Sequence, residues 1–346
     1  SKGKAETSMA TISSTFPTLV DVTKRLDPNG SVAAIAEVMS KYNPILEDMA
    51  WSEGNLPTGH RYTSRSALPT LSWRRYNQGL DPQVSKTEQY DETCGMLEGY
   101  SKVDVDLAKL NGNEQSFRLS EDKAFLQAMN IQVATALFYA TVQQNPEQIT
   151  GLTPRFNLST SAEVSNQVIK SDASASGANQ TSIWLIGWSP ETVFGIYPKA
   201  SSAGLVSEDL GRQLVLDSNS KQFLAYVTRW QWKLGLCVRD YRFIARICNI
   251  DVTRWKADLS QGSDLGMDML EAISRIYAID MVRPVFYMNR ATFSMLNKQL
   301  VKRQANWLEW LDGTEGPSGG PRRIPAFYGI PIKYVDAITS TEAVVS

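Results

Sequence analysis

Residues 181–199, "TSIWLIGWSPETVFGIYPK", read as two short strands around a turn, a hairpin with Trp184 and Trp188 on its first strand. The stretch holds no histidine and no cysteine, and Glu191 is its one acid. Aromatic side chains bury about 150–250 Å² each. So much rigid apolar surface without a reactive group points to packing, not to chemistry.

The flanking sequence extends that reading. Downstream, "FLAYVTRWQWKLGLCVRDYRFIARICNID" (223–251) alternates in the period of strands. Leu224, Tyr226, Trp230, Trp232 and Leu234 share one face of a first strand; Tyr241, Phe243, Ala245 and Ile247 share one face of a second. Two helices are expected at about 264–278 and 290–304, with "RPVFYMN" (283–289) as a strand between them. "LDGTEGPSGGPRR" (311–323) has the composition of a loop, and "AFYGIPIKYVDAI" (326–338) closes the chain as a strand pair. Upstream, "SAEVSNQVIKSDASASGANQ" (161–180) is polar, a loop or short helix. Before it lies the strongest helical pattern, with Phe125, Met129, Val133 and Leu137 recurring every four residues and Leu126 and Ala140 widening the stripe. Ser120 is read as its N-cap, Glu121 and Asp122 suit the first turn, and Pro146 stops it. From Ser120 to Gln144 it spans about 36 Å at 1.5 Å per residue, long enough for a strut. Residues of about 60–106 read as a long ribbon that climbs, turns through "QGLDPQVSK" and returns; alone in water it is marginal. Residues 9–58 form an arm with one short helix at about 31–42, and Met9 reads as a start preceded by an expression remnant. Helices and strands alternate irregularly, which is an α+β pattern.

Composition narrows the function classes. Of 346 residues, 42% are hydrophobic and 21% charged, with a net charge of -1. A surface built to grip nucleic acid or anionic lipid selects a basic excess that this chain lacks. No apolar run reaches the length of a membrane helix. The three cysteines, Cys94, Cys237 and Cys248, have no CxxC spacing and read as reduced thiols.

Reactive constellations are scarce in the sequence. His60 is the one histidine; a triad or zinc site needs defined partners, so an exposed loop residue is the ordinary reading. Asp104 and Asp106 in "KVDVDLAKL" would share a strand face, where paired carboxylates can hold a cation or act as acid and base. Beside Lys102 and Lys109 they read instead as a solvated face. Arg74 and Arg75 in "SWRRYNQG", flanked by Trp73 and Tyr76, suit stacking on nucleic acid or salt bridges to another subunit, as do Arg322 and Arg323 in "GPRRIP". The nine tryptophans suit a sugar platform or core packing. No catalytic residue, cofactor or metal ligand is assigned.

The order of arm, ribbon, strut helix, mixed domain and closing strand resembles the major capsid proteins of tailed bacteriophages, of the Hong Kong 97 type. Within them it is similar to the short-tailed epsilon-fifteen-like group. "SIWLIGWSPETVFGIYPKASSAGL" (182–205), "VRDYRFIARICNID" (238–251) and "FYGIPIKYVDAI" (327–338) carry the likeness. It implies an α+β capsid fold with an N-terminal arm at 1–58, an extended loop hairpin at 59–106, a spine helix and the start of a peripheral domain at 107–180, and an axial domain with the remaining peripheral strands at 181–346. It implies a structural, non-enzymatic protein that self-assembles as hexamers and pentamers into an icosahedral head. Scaffold, portal and decoration proteins are implied partners, packaged double-stranded DNA is touched non-specifically, and no membrane is involved. The protein would be found in the virion, and in host cytoplasm during assembly. Trp73, Arg74, Arg75, Tyr76, Lys86 and Tyr90 are the expected subunit-interface residues. Some relatives cross-link a lysine to a neighbour; Lys86 is the lysine nearest the ribbon tip, but no motif identifies a partner for it. An encapsulin compartment shares the fold and is one alternative; a carbohydrate-active β-rich protein using the tryptophans with Asp104 and Asp106 is the other.

Overall fold

The computed structural model describes residues 43–109, 114–159, 161–172, 175–217, 219–257, 264–302, 308–315 and 321–345. The helix expected at 31–42 lies outside them. In chain order come α1 (Ile45–Asp48), β1 (Trp51–Glu53), β2 (Gly59–Ala67), β3 (Lys86–Thr93), β4 (Gly95–Asp104), α2 (Val105–Lys109) and α3 (Glu114–Tyr139). Then follow α4 (Leu152–Arg155), α5 (Ala162–Ser165), β5 (Val168–Lys170), β6 (Gln180–Trp188), β7 (Val193–Tyr197), β8 (Leu205–Leu216), β9 (Gln222–Val238) and β10 (Ile244–Asp251). The chain continues through α6 (Val252–Ala257), α7 (Leu265–Arg275), β11 (Arg283–Met288), α8 (Arg290–Lys302), β12 (Leu308–Glu315), β13 (Pro321–Phe327) and β14 (Ile330–Tyr334). The chain divides into two compact units, and α3 and β9 run through both.

The larger unit takes in residues 41–96, 133–204 and 233–346. Its centre is a seven-stranded sheet in the order β12-β13-β14-β11-β6-β10-β5. Every residue of β6 and of β10 is buried. A strand covered on both faces reads as a continuous apolar run, which is what "SIWLIGW" is. Trp184 packs between Phe138 and Phe156, with ring centroids 6.2 and 6.1 Å away, and the guanidinium of Arg246 lies 5.0 Å from its centroid. Trp188 donates from Nε1 to the Tyr287 hydroxyl at 2.8 Å, and that hydroxyl donates to Asp48 at 2.7 Å. Lys333 closes the network on Asp48.

The expected hairpin at 181–199 is therefore corrected. β6 and β7 are strands around a turn, but they belong to different sheets: β6 pairs with β10 and β11, β7 with β1 and β9. Both edges of β6 are occupied by these partners, and the turn into β7 is held by a bridge between Ser189 and Val193 and by the Thr192 hydroxyl, which donates to the Gly187 carbonyl at 3.1 Å. Other expectations shift too. Tyr241 and Phe243 lie on a 3-10 turn ahead of β10. The segment 311–323, expected as a loop, carries parts of β12 and β13 on either side of 316–320. The closing strand pair is present: β13 and β14 meet through Tyr328 and Gly329, both at positive φ (50° and 77°), the backbone of a tight hairpin turn.

The smaller unit includes residues 97–132 and 205–232. β8 pairs antiparallel with β9 along its length, with a bulge between Asp209 and Arg212. Val103, Val105, Ala108, Phe117 and Tyr226 form its core. The long helix α3 starts at Glu114, before the expected Ser120, because Phe117 supplies a buried anchor one turn earlier. It ends at Tyr139 after 26 residues, about 39 Å. Phe125 and Leu126 are half-buried, while Met129, Val133 and Leu137 are buried.

Candidate assembly surfaces

Residues 59–93 form the ribbon, a two-stranded sheet of β2 and β3 with Tyr62 opposite Tyr90 and His60 opposite Glu92. It is shorter than expected. The ladder ends at Ala67 and Lys86, and the chain leaves it at Cys94 to enter β4, a strand of another sheet. Gly59 sits where the ribbon joins the larger unit. A Cβ there would fall 1.9 Å from the Glu92 carbonyl oxygen, so no other residue fits without moving the strand.

Packing and charge hold this root. Arg155 donates from both terminal nitrogens to the Glu92 carboxylate, at 2.5 and 2.6 Å, a bidentate pair on largely buried side chains. Tyr62 donates to the Val238 carbonyl at 2.8 Å and stacks on Tyr90 at 5.6 Å. Burial drives the Tyr62 hydroxyl far above its ordinary pKa. Phe194, Ile196 and Cys237 pack here with Ala50, Tyr62 and Cys94. Desolvation raises the Cys94 thiol to about 11 and Cys237 to about 12, so both stay protonated and inert. His60 is corrected from a loop residue to a half-buried strand residue whose ring meets Phe194 edge-on at 5.8 Å. Burial, then Arg239, lowers its pKa against the opposing pull of Glu92.

Beyond the ladder, residues 68–85 form an irregular tip. Trp73 and Tyr76 are fully exposed, at 103% and 98%, and Leu68, Leu71, Leu80 and Val84 are exposed with them. Arg74 and Arg75 lie between the two aromatics and are also exposed. A run of large apolar side chains in water is the signature of a surface completed by another molecule. Of the six expected interface residues, the tip gathers Trp73, Arg74, Arg75 and Tyr76. Lys86 stands at the ladder's end, and Tyr90 lies on β3, where it donates to Glu88 at 2.8 Å. The four apolar tip residues and the Arg155–Glu92 anchor were not singled out from the sequence. The tip residues were visible there as apolar positions in a stretch with no alternation; the anchor was not, since its partners are 63 residues apart.

The rival chemistry does not assemble. Asp104 ends β4, and its Oδ1 accepts from the backbone of Asp106 and Leu107 at 2.8 and 3.4 Å, capping α2. Asp106 lies in that helix, so the two acids share no strand face. Trp184 and Trp188 are buried at 0% and 2% exposure and present no face to a sugar. Arg322 and Arg323 lie on β13. Among the described residues no group of three His, Cys, Asp or Glu is placed to hold a metal ion.

Residues 27–346 match the family model of major capsid protein GP7. The chain is similar to the solved structure of bacteriophage Epsilon15, with 36% identity over 97% of this chain and 99% of that one, at a TM-score of 0.76. It also aligns with the capsid of bacteriophage JBD30, at 8% identity over 88% and 95% of the two chains and a TM-score of 0.48. The SrpI encapsulin of Synechococcus elongatus aligns at 10% identity over 64% and 93%, with a TM-score of 0.42. No curated protein matches the sequence.

Proposed function

The chain belongs to the family of major capsid protein GP7, a structural component of the phage head with the Hong Kong 97-type α+β fold, and from that premise we propose that the ribbon tip at residues 68–85 is the surface through which one copy grips the next. The exposed cluster of Leu68, Leu71, Trp73, Tyr76 and Val84 carries this reading. Aromatics and arginine are enriched at protein interfaces, and Arg74 and Arg75 supply the charge. Lys86 and Tyr90 extend the contact down the ribbon. Hexamers and pentamers then reuse this one contact around a closed shell.

The segments take matching roles. Residues 43–58, the described part of the arm, lead into the ribbon at 59–93, which serves as the extended loop, and α3 serves as the spine. The unit of residues 97–132 and 205–232 is the peripheral domain, and the sheet around β6 the axial one. The net charge of -1 suits a wall that touches double-stranded DNA without holding it. Scaffold, portal and decoration proteins complete assembly, which takes place in the host cytoplasm.

The double substitution Arg74→Glu with Arg75→Glu tests the assignment. Reversed charges at a docked interface cost several kcal/mol, so the subunit should fold, by circular dichroism, yet fail to form shells in sedimentation. Shells at the yield of the unaltered protein would remove the arginines from the interface.

A further inference from the structure

A cleft of about 490 Å³ opens beside the ribbon in the larger unit, where Thr63–Arg65 of β2 face the turn after β6 and the segment after β9. Three guanidinium groups, Arg65, Arg239 and Arg242, line it against two carboxylates, Glu191 and Asp240. Arg242 is committed: it pairs with Asp240 at 2.7 Å and lies 4.4 Å from the Tyr277 ring centroid. Arg65 and Arg239 take part in no ion pair among the described residues, and both are exposed. Met281, 78% exposed, adds an apolar lip. The cleft therefore presents two guanidinium groups and one carboxylate, Glu191, all unpaired among the described residues, beside the apolar lip of Met281; this net positive charge is complemented by a carboxylate with an apolar neighbour.

The ribbon tip carries such a group. Asp81 is exposed and unpaired among the described residues, with Leu80 and Val84 exposed around it. Its own chain does not bring it to the cleft, whose lining holds no tip residue. We propose that Asp81 of one copy seats between Arg65 and Arg239 of a second copy, with Leu80 and Val84 against Met281. This rests on the reading that the tip docks on a neighbouring copy, and it names where.

A buried Arg–carboxylate contact across an interface fixes register and discriminates against wrong partners. Charge reversal tests it in three variants: Arg239→Glu, Asp81→Arg, and the two together. Each single change should lower shell yield by about tenfold or more, and the double should restore most of it, since close charge pairs at interfaces are strongly coupled. Circular dichroism of the unassembled subunits checks that each variant folds. Singles that assemble like the unaltered protein, or a double no better than either single, would overturn the pairing while leaving the capsid assignment intact. Variant shells that close normally but retain less DNA would overturn it as well, giving the cleft to phosphate. Failure of the unaltered chain to form shells would instead remove the reading beneath it.

Discussion

Glu342 is the residue on which the end of the chain hangs. Its carboxylate accepts from Ser182 and from Tyr139 at 2.5 and 2.6 Å and pairs with Arg246 at 3.0 Å, with side-chain exposures of 1% for Arg246 and 6% for Glu342. Arg246 also donates to the Phe156 carbonyl at 2.8 Å. A buried pair adds little net stability, but removing one partner strands the other's charge. Glu342→Gln should therefore cost about 3–5 kcal/mol in chemical unfolding; a loss near the ~0–1 kcal/mol of an exposed pair would mean that water reaches Arg246. Glu98 makes the opposite case at an accessible position. Hydrogen bonds from Arg229 first, then Tyr100 and Gln231, hold its carboxyl near a pKa of about 2, below the ordinary 4.5. A carboxyl depressed by folding stabilises fully above its unfolded value, and that contribution is lost as pH falls through the folded one. The unaltered protein should thus lose stability relative to Glu98→Gln between pH 4.5 and about 2. Parallel stability curves across that window would show that Glu98 has no such role.

At the scale of elements, the ribbon combines a fixed root with an uncovered tip. The root has its own anchors in Arg155, Tyr62 and Gly59. The tip has no ladder and no apolar cover. Ordering it costs about 1–2 kcal/mol per residue in backbone entropy, which contacts from another copy must offset. In hydrogen exchange, amides of β2 and β3 that pair across the ladder should be protected in the free subunit, while those of residues 68–85 exchange fast and become slow only in the shell. Strong protection of the tip in both states would place it in the subunit's own core. The same elements show what sequence can reveal. The helices at 265–275 and 290–302, the strand between them and the closing pair were legible because their periodicity and turn residues are local. The apolar run of β6 was legible as packing, but its neighbours were not: β10 and β11 come far later in the chain, and a Ser-Pro turn looks alike whether the strands pair or part. Asp106 misled for a related reason, since an acid two residues beyond Asp104 looks like a continuation of the strand until the helix that Asp104 caps is seen. Of the proposed interface, Trp73, Arg74, Arg75 and Tyr76 could be named from sequence; that they are uncovered is a property of the fold.

For the molecule as a whole, the densest exposure of apolar surface among the described residues is at the ribbon tip, where six large apolar side chains between Leu68 and Val84 stand in water. Buried surface elsewhere serves the two units' own cores, and the thiols that could react are held protonated by burial. A protein made this way works by being repeated, and membership of the GP7 capsid family gives the repeat its purpose. Electron microscopy of the purified protein tests that most directly. Closed icosahedral shells, with density for residues 68–85 lying on an adjacent copy, are the predicted result. A preparation holding only 38.5 kDa monomers, or shells whose ribbon tips point free into solvent, would contradict it.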